Sequence, residues 1–118
     1  MGNVLDTILI KDLVTSPATV NSDYVTESVD ISFKEDEFSI QLTYDGGIDV
    51  EMTIVLEVSN DNVNFSQVTD SDQLITDSSG SHIIDVIGTG TNYARVKFLV
   101  TDGSINLTSC VYKAKRRH

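Results

Sequence analysis

The chain has no tryptophan, one cysteine, one proline and two histidines in 118 residues, and each scarcity removes a class of protein. Cys110 has no partner for an internal disulfide, so the chain is not a disulfide scaffold, and a lone cysteine in an apolar segment reads as a small buried hydrophobe. Without tryptophan or a cysteine pair, the antibody-type immunoglobulin signature is missing. Nucleophilic catalysis needs a nucleophile, a base within reach and a group that orients the base. Of the two histidines, His118 is the last residue, and His82 sits in Gly80-Ser81-His82 as a turn histidine. Cys110 has no adjacent basic residue to lower its thiol pKa. The expectation is therefore no catalytic set and no enzyme.

Long apolar runs are also missing, and nothing approaches the roughly 18 residues that cross a bilayer. The opening MGNVLDTILIKD has neither the basic start nor the apolar stretch of a secretory signal, so synthesis in a cytoplasm is expected. Asp6 and Thr7 fit a myristoylation motif poorly.

Basic residues are few and unevenly placed. Lys113, Lys115, Arg116 and Arg117 fall in the last six positions, which leaves four basic against 18 acidic groups in residues 1–112 and a charge of −14 on that body. Such a surface repels nucleic acid and anionic membranes, so neither is an expected partner. Residues 113–118 read as a basic C-terminal tail, either a solvated terminus or a docking strip for an acidic partner.

Metal and phosphate sites find little support. Asp70, Asp72 and Asp77 cluster with Asn60-Asp61-Asn62, but the stretch from Asp70 has neither the turning glycine nor the distal glutamate of a calcium loop. Glu35-Asp36-Glu37 reads as a solvated turn. Gly88-Thr89-Gly90 links two strands, without the following helix and lysine that a phosphate cradle needs. No metal and no cofactor is expected.

What the chain does have is alternation with a period of two, which sends successive side chains to opposite faces of a strand. Phe38, Ile40, Leu42 and Tyr44 alternate with Ser39, Gln41 and Thr43; Ile48, Val50, Met52, Ile54, Leu56 and Val58 alternate with mostly polar residues. Asp45-Gly46-Gly47 between them suits a tight turn, so residues 37–59 read as a hairpin. Ala94, Val96, Phe98 and Val100 form a further strand that Asp102-Gly103 turns back into residues 104–114. There Ile105 and Leu107 have one parity and Cys110, Tyr112 and Ala114 the other, implying a bulge near Thr108 and Ser109 or a strand buried on both faces. Shorter strands are expected in 25–33, 63–68, 73–76 and 82–87.

The resulting fold expectation is all-β, a single antiparallel β-sandwich of jelly-roll or immunoglobulin-like type with about eight strands. Its expected core is Phe38, Ile40, Leu42, Met52, Ile54, Leu56, Val96 and Phe98. Residues 1–20 form an N-terminal arm or edge strand ended by Pro17, and residues 21–112 the domain. Recognition is expected on the polar loops of residues 60–92.

Three stretches carry a resemblance. Leu56-Glu57-Val58-Ser59-Asn60-Asp61-Asn62-Val63-Asn64-Phe65 is similar to a strand followed by a Ser-Asn-Asp-Gly-x-Asn-aromatic hairpin, with Asn62 in place of the commoner glycine. Tyr93-Ala94-Arg95-Val96-Lys97-Phe98 is similar to a Tyr-x-Arg-Val-x-aromatic strand, and Asp102-Gly103-Ser104-Ile105-Asn106-Leu107 takes the place of a Gly-Ser-Gly-type turn. Over roughly residues 20–115 the chain thus resembles small bacteriophage virion proteins of the decoration, head-fibre and tail-accessory type. The resemblance implies a virion component in multiple symmetric copies that contacts capsid or tail proteins, with no catalytic residues to carry over. A carbohydrate-binding or adhesive module is the alternative, with a glycan as ligand and Tyr24, Tyr93 and Tyr112 as candidate stacking rings. Candidate partner contacts are Lys113, Lys115, Arg116, Arg117, Arg95, Asn60, Asp61 and Asn62, with Glu51 or Glu57 expected to pair with Arg95 across the ladder.

Overall fold

The computed structural model describes residues 7–14, 17–31, 37–87 and 91–116. Glu35, Asp36, Gly88 to Gly90, Arg117 and His118 lie outside the described residues. Nine strands follow one another: β1 (Thr7–Asp12), β2 (Ala18–Val20), β3 (Tyr24–Val25), β4 (Val29–Asp30), β5 (Glu37–Ser59), β6 (Ser66–Gln67), β7 (Gln73–Ile75), β8 (Gly80–Ile87) and β9 (Tyr93–Arg116). All pairings are antiparallel within one sheet, an arrangement that leaves one face of the strands wet. No described helix is long and apolar enough to cross a membrane.

The two expected hairpins are corrected. Residues 37–59 do not fold back at Asp45-Gly46-Gly47, nor residues 93–114 at Asp102-Gly103. Instead β5 and β9, of 23 and 24 residues, run antiparallel along their whole length, from Phe38↔Ala114 to Ser59↔Tyr93. The turn-like residues lie level with one another in the middle of this two-stranded spine, where Ile48 pairs with Ser104 and Glu51 with Asp102. Gly46 (φ 60°), Asp49 (φ 50°) and Gly103 (φ 77°) do adopt left-handed backbone. They use it to bulge and bend both strands, because the local freedom that closes a hairpin equally makes a bulge.

The bend is a geometric necessity. A straight strand of that length would extend about 76 Å at 3.3 Å per residue, whereas the longest dimension of the molecule is 55 Å. Four register shifts fall between Thr43 and Met52. Thr101 and Thr108 are the extra residues on β9, since Thr43 pairs with Ser109 but Tyr44 with Leu107, and Glu51 with Asp102 but Met52 with Val100. The Thr108 hydroxyl donates to Thr43 O at 2.9 Å. These two bulges explain the changes of parity along β9, one of them at the position the sequence indicated.

The spine carries two half-sheets. Residues 37–44 of β5 pair with β8, and the matching end of β9 pairs with β1 and β2. Residues 52–59 of β5 pair with β6 and β7, and the other end of β9 with β3 and β4. Both halves turn their apolar parity to a single cluster that holds Ile40, Leu42, Met52, Ile54, Leu56, Ile75, Val96, Phe98, Ile105 and Leu107, all essentially inaccessible to water. All eight expected core residues are buried. Each large side chain removed from water contributes roughly 1.5–3 kcal/mol, and this term holds the two half-sheets on their shared core.

Candidate interaction surface

At one end of the spine, chain reversal after β5 is built by side chains. The Ser59 hydroxyl accepts from the amides of Asp61 and Asn62 and donates to the Asp61 carboxylate at 2.8 Å. That carboxylate also accepts from the amides of Val63 (2.9 Å) and Asn64 (2.8 Å) and from the Asn64 side chain (2.8 Å). These donors, the Asn64 and Val63 amides foremost, hold the Asp61 carboxyl well below the ordinary carboxylate range. Asn62 takes the left-handed conformation (φ 62°) that asparagine tolerates.

Two neighbouring segments clamp this loop. Ser28 donates to the Asn62 side chain at 2.6 Å. Asn92 donates its backbone amide to Ser59 O (3.0 Å) and its side-chain amide to Asn60 O (3.2 Å). Asp61 and Asn62 through their side chains, and Asn60 through its main-chain carbonyl, thus hold the shape of this exposed loop. A groove of about 280 Å³ beside it is lined by Val58, Ser59, Asn60, Asp61, Asn64, Ser66 and Thr91.

Arg95 lies against the same loop. It pairs with Glu57 at 2.8 Å, directly opposite on β5, so its partner belongs to the same chain, and Glu57 is the one used of the two acids expected. The ring of Phe65 lies 3.8 Å from the guanidinium carbon. A guanidinium held between a carboxylate and an aromatic face is ordered as well as charged. Phe65 thus covers Arg95 on the outer face of the sheet. Tyr93, half-buried, pairs with Ser59 on that face.

The basic C-terminal residues are at the other end. Lys113, Lys115 and Arg116 belong to β9 and pair with Ile10, Ile8 and Thr7 of β1, so residues 113–116 form part of the sheet and not a free tail. Lys113 is exposed. The spine therefore separates Asn60–Asn62 and Arg95 from the C-terminal basic residues, which do not form one site.

The edges of the half-sheets meet at a seam that sequence reading missed. Gln73 of β7 donates its amide to Ile83 O of β8 at 3.0 Å, and its carbonyl accepts from His82 Nδ1 at 3.3 Å. His82 Nε2 lies 3.5 Å from the Tyr44 hydroxyl, within hydrogen-bond reach, and the two rings are stacked 5.9 Å apart. Burial, and after it the charge of Asp77, push the Tyr44 hydroxyl up from its ordinary pKa and keep it a donor. A cleft of about 220 Å³ beside this chain includes Leu56, Val68, Asp70, Ser71, Ile84 and Val86 in its walls. His82 thus has structural partners on both sides.

Of the candidate stacking rings, Tyr112 is buried, and Tyr24 packs on Phe98 with centroids 6.0 Å apart. Cys110 is inaccessible, its thiol pushed up to about 12 by burial and then by Asp12. Among the described residues no cluster of three or more histidine, cysteine or acidic side chains is arranged to hold a metal ion.

No protein-family model and no curated protein matches the sequence. Among solved structures, the enzymatically active domain of tailspike protein 4 from bacteriophage CBA120 is similar in fold, with a TM-score of 0.54 and 12% identity over 92% of this chain. A family 16 carbohydrate-binding module aligns over 86% of this chain and 74% of its own length at 5% identity, with a TM-score of 0.43. This chain spans 19% of the tailspike chain it matches, so the likeness is to one β-rich portion of that larger protein. The chain shares its all-β fold with part of a phage tailspike domain.

Proposed function

We propose that this protein is a structural component of a bacteriophage virion, a capsid decoration or auxiliary protein or a head–tail accessory protein, that acts through protein–protein contacts and performs no catalysis. The observation that carries the reading is the fold likeness to part of a phage tailspike over 92% of the chain, which agrees with the independent resemblance of the 56–65, 93–98 and 102–107 segments to small virion proteins. The chemistry of the surface supports it. The clamped 59–65 loop and the two open sheet faces offer contact area, while the acidic body disfavours nucleic acid and anionic membranes. Mass spectrometry of purified particles tests the reading: the polypeptide is expected at stoichiometric abundance, and its absence from particles made in cells that express it overturns the proposal.

A carbohydrate-binding or adhesive module is the second reading. It is favoured by the hydroxyl- and amide-lined groove of Ser59, Asn60, Asn64 and Ser66, with Tyr93 opposite Ser59 on the outer face. Sugar hydroxyls suit such a lining, but Phe65 is already covered by Arg95. Binding on a glycan array that is lost in Tyr93→Ala supports this reading; an array without signal at high protein concentration removes it.

A further inference from the structure

The outer face of the half-sheet built on residues 37–44 of β5 is an unpartnered surface with an unusual symmetry. Ser39, Gln41 and Thr43 point outward along β5, since Phe38, Ile40, Leu42 and Tyr44 point into the core. On one flank they pair with Lys113, Val111 and Ser109 of β9. On the other they pair with Asp85, Ile83 and Ser81 of β8. Level by level, the two flanks read lysine against aspartate, valine against isoleucine, and serine against serine.

We propose that this face binds a second copy of the same chain, back to back, about a two-fold axis that runs along β5 between the two sheets. Such an axis exchanges the flanks, so that β9 of one copy lies over β8 of its partner. Lys113 then meets Asp85 of the partner copy and Asp85 meets its Lys113, while Val111 and Ile83 pack on one another twice. Ser39, Gln41 and Thr43 meet their own counterparts across the axis, where hydroxyl and amide groups both donate and accept.

Two observations favour a second copy over another occupant. Lys113 and Asp85 are both exposed, and neither forms an ion pair within the chain among the described residues. They sit two strands apart, about 10 Å at the usual spacing, too far to neutralise each other within one copy. Ile83 is 51% exposed although it lies at the middle level of the face. Among the described residues the one further acid at this level, Asp12 of β1 beside Val111, is already engaged by the amides of Val14 (3.0 Å) and Cys110 (3.2 Å). A self-complementary pattern of this kind is wasted on an unrelated partner and complete with an identical one.

The patch covers roughly 400 Å² per copy from strand and residue spacings, about half the usual share of a stable interface. The dimer is accordingly weak in free solution and reinforced where many copies are held together. This contact rests on the sheet face alone and does not depend on membership of a virion.

Sedimentation equilibrium of the full chain up to about 1 mM, the reach that a weak association needs, provides the test. The wild type is expected to dimerise reversibly. Lys113→Asp and Asp85→Lys, both at exposed sites and checked for folding by circular dichroism, each create two like-charge contacts and weaken association at least about tenfold. An equimolar mixture of these two variants restores both opposite-charge pairs, so it forms a heterodimer within about threefold of wild-type affinity. A wild type that stays monomeric at the highest concentration overturns the proposal. So do single variants that dimerise as the wild type does, or a mixture that fails to recover.

Discussion

Replacing Gly103 with alanine places a methyl group against the carbonyl oxygens of Ile48 and Asp49, at a position where φ is +77°. Left-handed backbone costs a residue with a Cβ about 1–2 kcal/mol, and overpacking against atoms that cannot move aside costs about 1–3 kcal/mol more. The expected loss is thus about 2–5 kcal/mol, a large part of the roughly 5–15 kcal/mol that holds a domain folded. Gly103→Asn separates the two terms, because asparagine tolerates positive φ but its Cβ meets the same carbonyls. If Asp102-Gly103 were the turn of an ordinary hairpin, asparagine would be nearly neutral. In the paired bends of the spine it still loses about 1–3 kcal/mol. Urea unfolding followed by far-ultraviolet circular dichroism and tyrosine fluorescence measures both variants, the chain having four tyrosines and no tryptophan. With a urea dependence of about 2 kcal/mol/M, the middle of the usual range, the alanine midpoint falls by about 1–2.5 M. A loss under about 0.5 kcal/mol for Gly103→Asn, the ordinary range of surface changes, would refute the close approach of β9 to β5 at the bend.

Three further outcomes follow from the geometry. Asp61 is held ionised by donors that only the folded loop supplies, so its contribution to stability is complete above about pH 4 and is lost as pH falls below that. Asp61→Asn should be less stable than wild type at neutral pH and the two should converge in acid; curves that stay parallel down to pH 2 would contradict this. Cys110, with its thiol near 12, should react with a disulfide reagent at pH 8 only as fast as the fold opens, and rapid labelling of the native protein would contradict its burial. A double-mutant cycle on Arg95→Ala and Glu57→Ala, read by urea unfolding, should give a coupling of about 1 kcal/mol for a half-buried pair; zero coupling would mean that Phe65 alone orders the arginine.

The strands and core were legible because alternation at 38–44, 50–58 and 94–100 depends only on which face is wet. The break in parity between Leu107 and Cys110 was legible for the same reason, and Thr108 is the residue that causes it. The connectivity was not. Asp45-Gly46-Gly47 and Asp102-Gly103 carry the same signal for a hairpin and for a bulge, and only the pairing of residues 37–44 with β8 and β9 in place of 52–59 decides between them. Tertiary pairing also turned an apparent basic tail into a strand, because Ile8 and Ile10 of β1 lie opposite Lys115 and Lys113. At the candidate surface, the short-range bonds of Ser59 and Asp61 are foreseeable from residue type and spacing. The clamps from Ser28 to Asn62 and from Asn92 to Asn60 join residues more than 30 positions apart, and no local pattern marks them.

A cryo-electron microscopy map of purified particles tests the central claim, action through contacts within a virion, most directly. The account predicts a β-rich density about 55 Å long at repeated positions, with the 59–65 loop or an outer sheet face seated on neighbouring proteins. A map in which every density belongs to other chains, from particles made in cells that contain this protein, would contradict it.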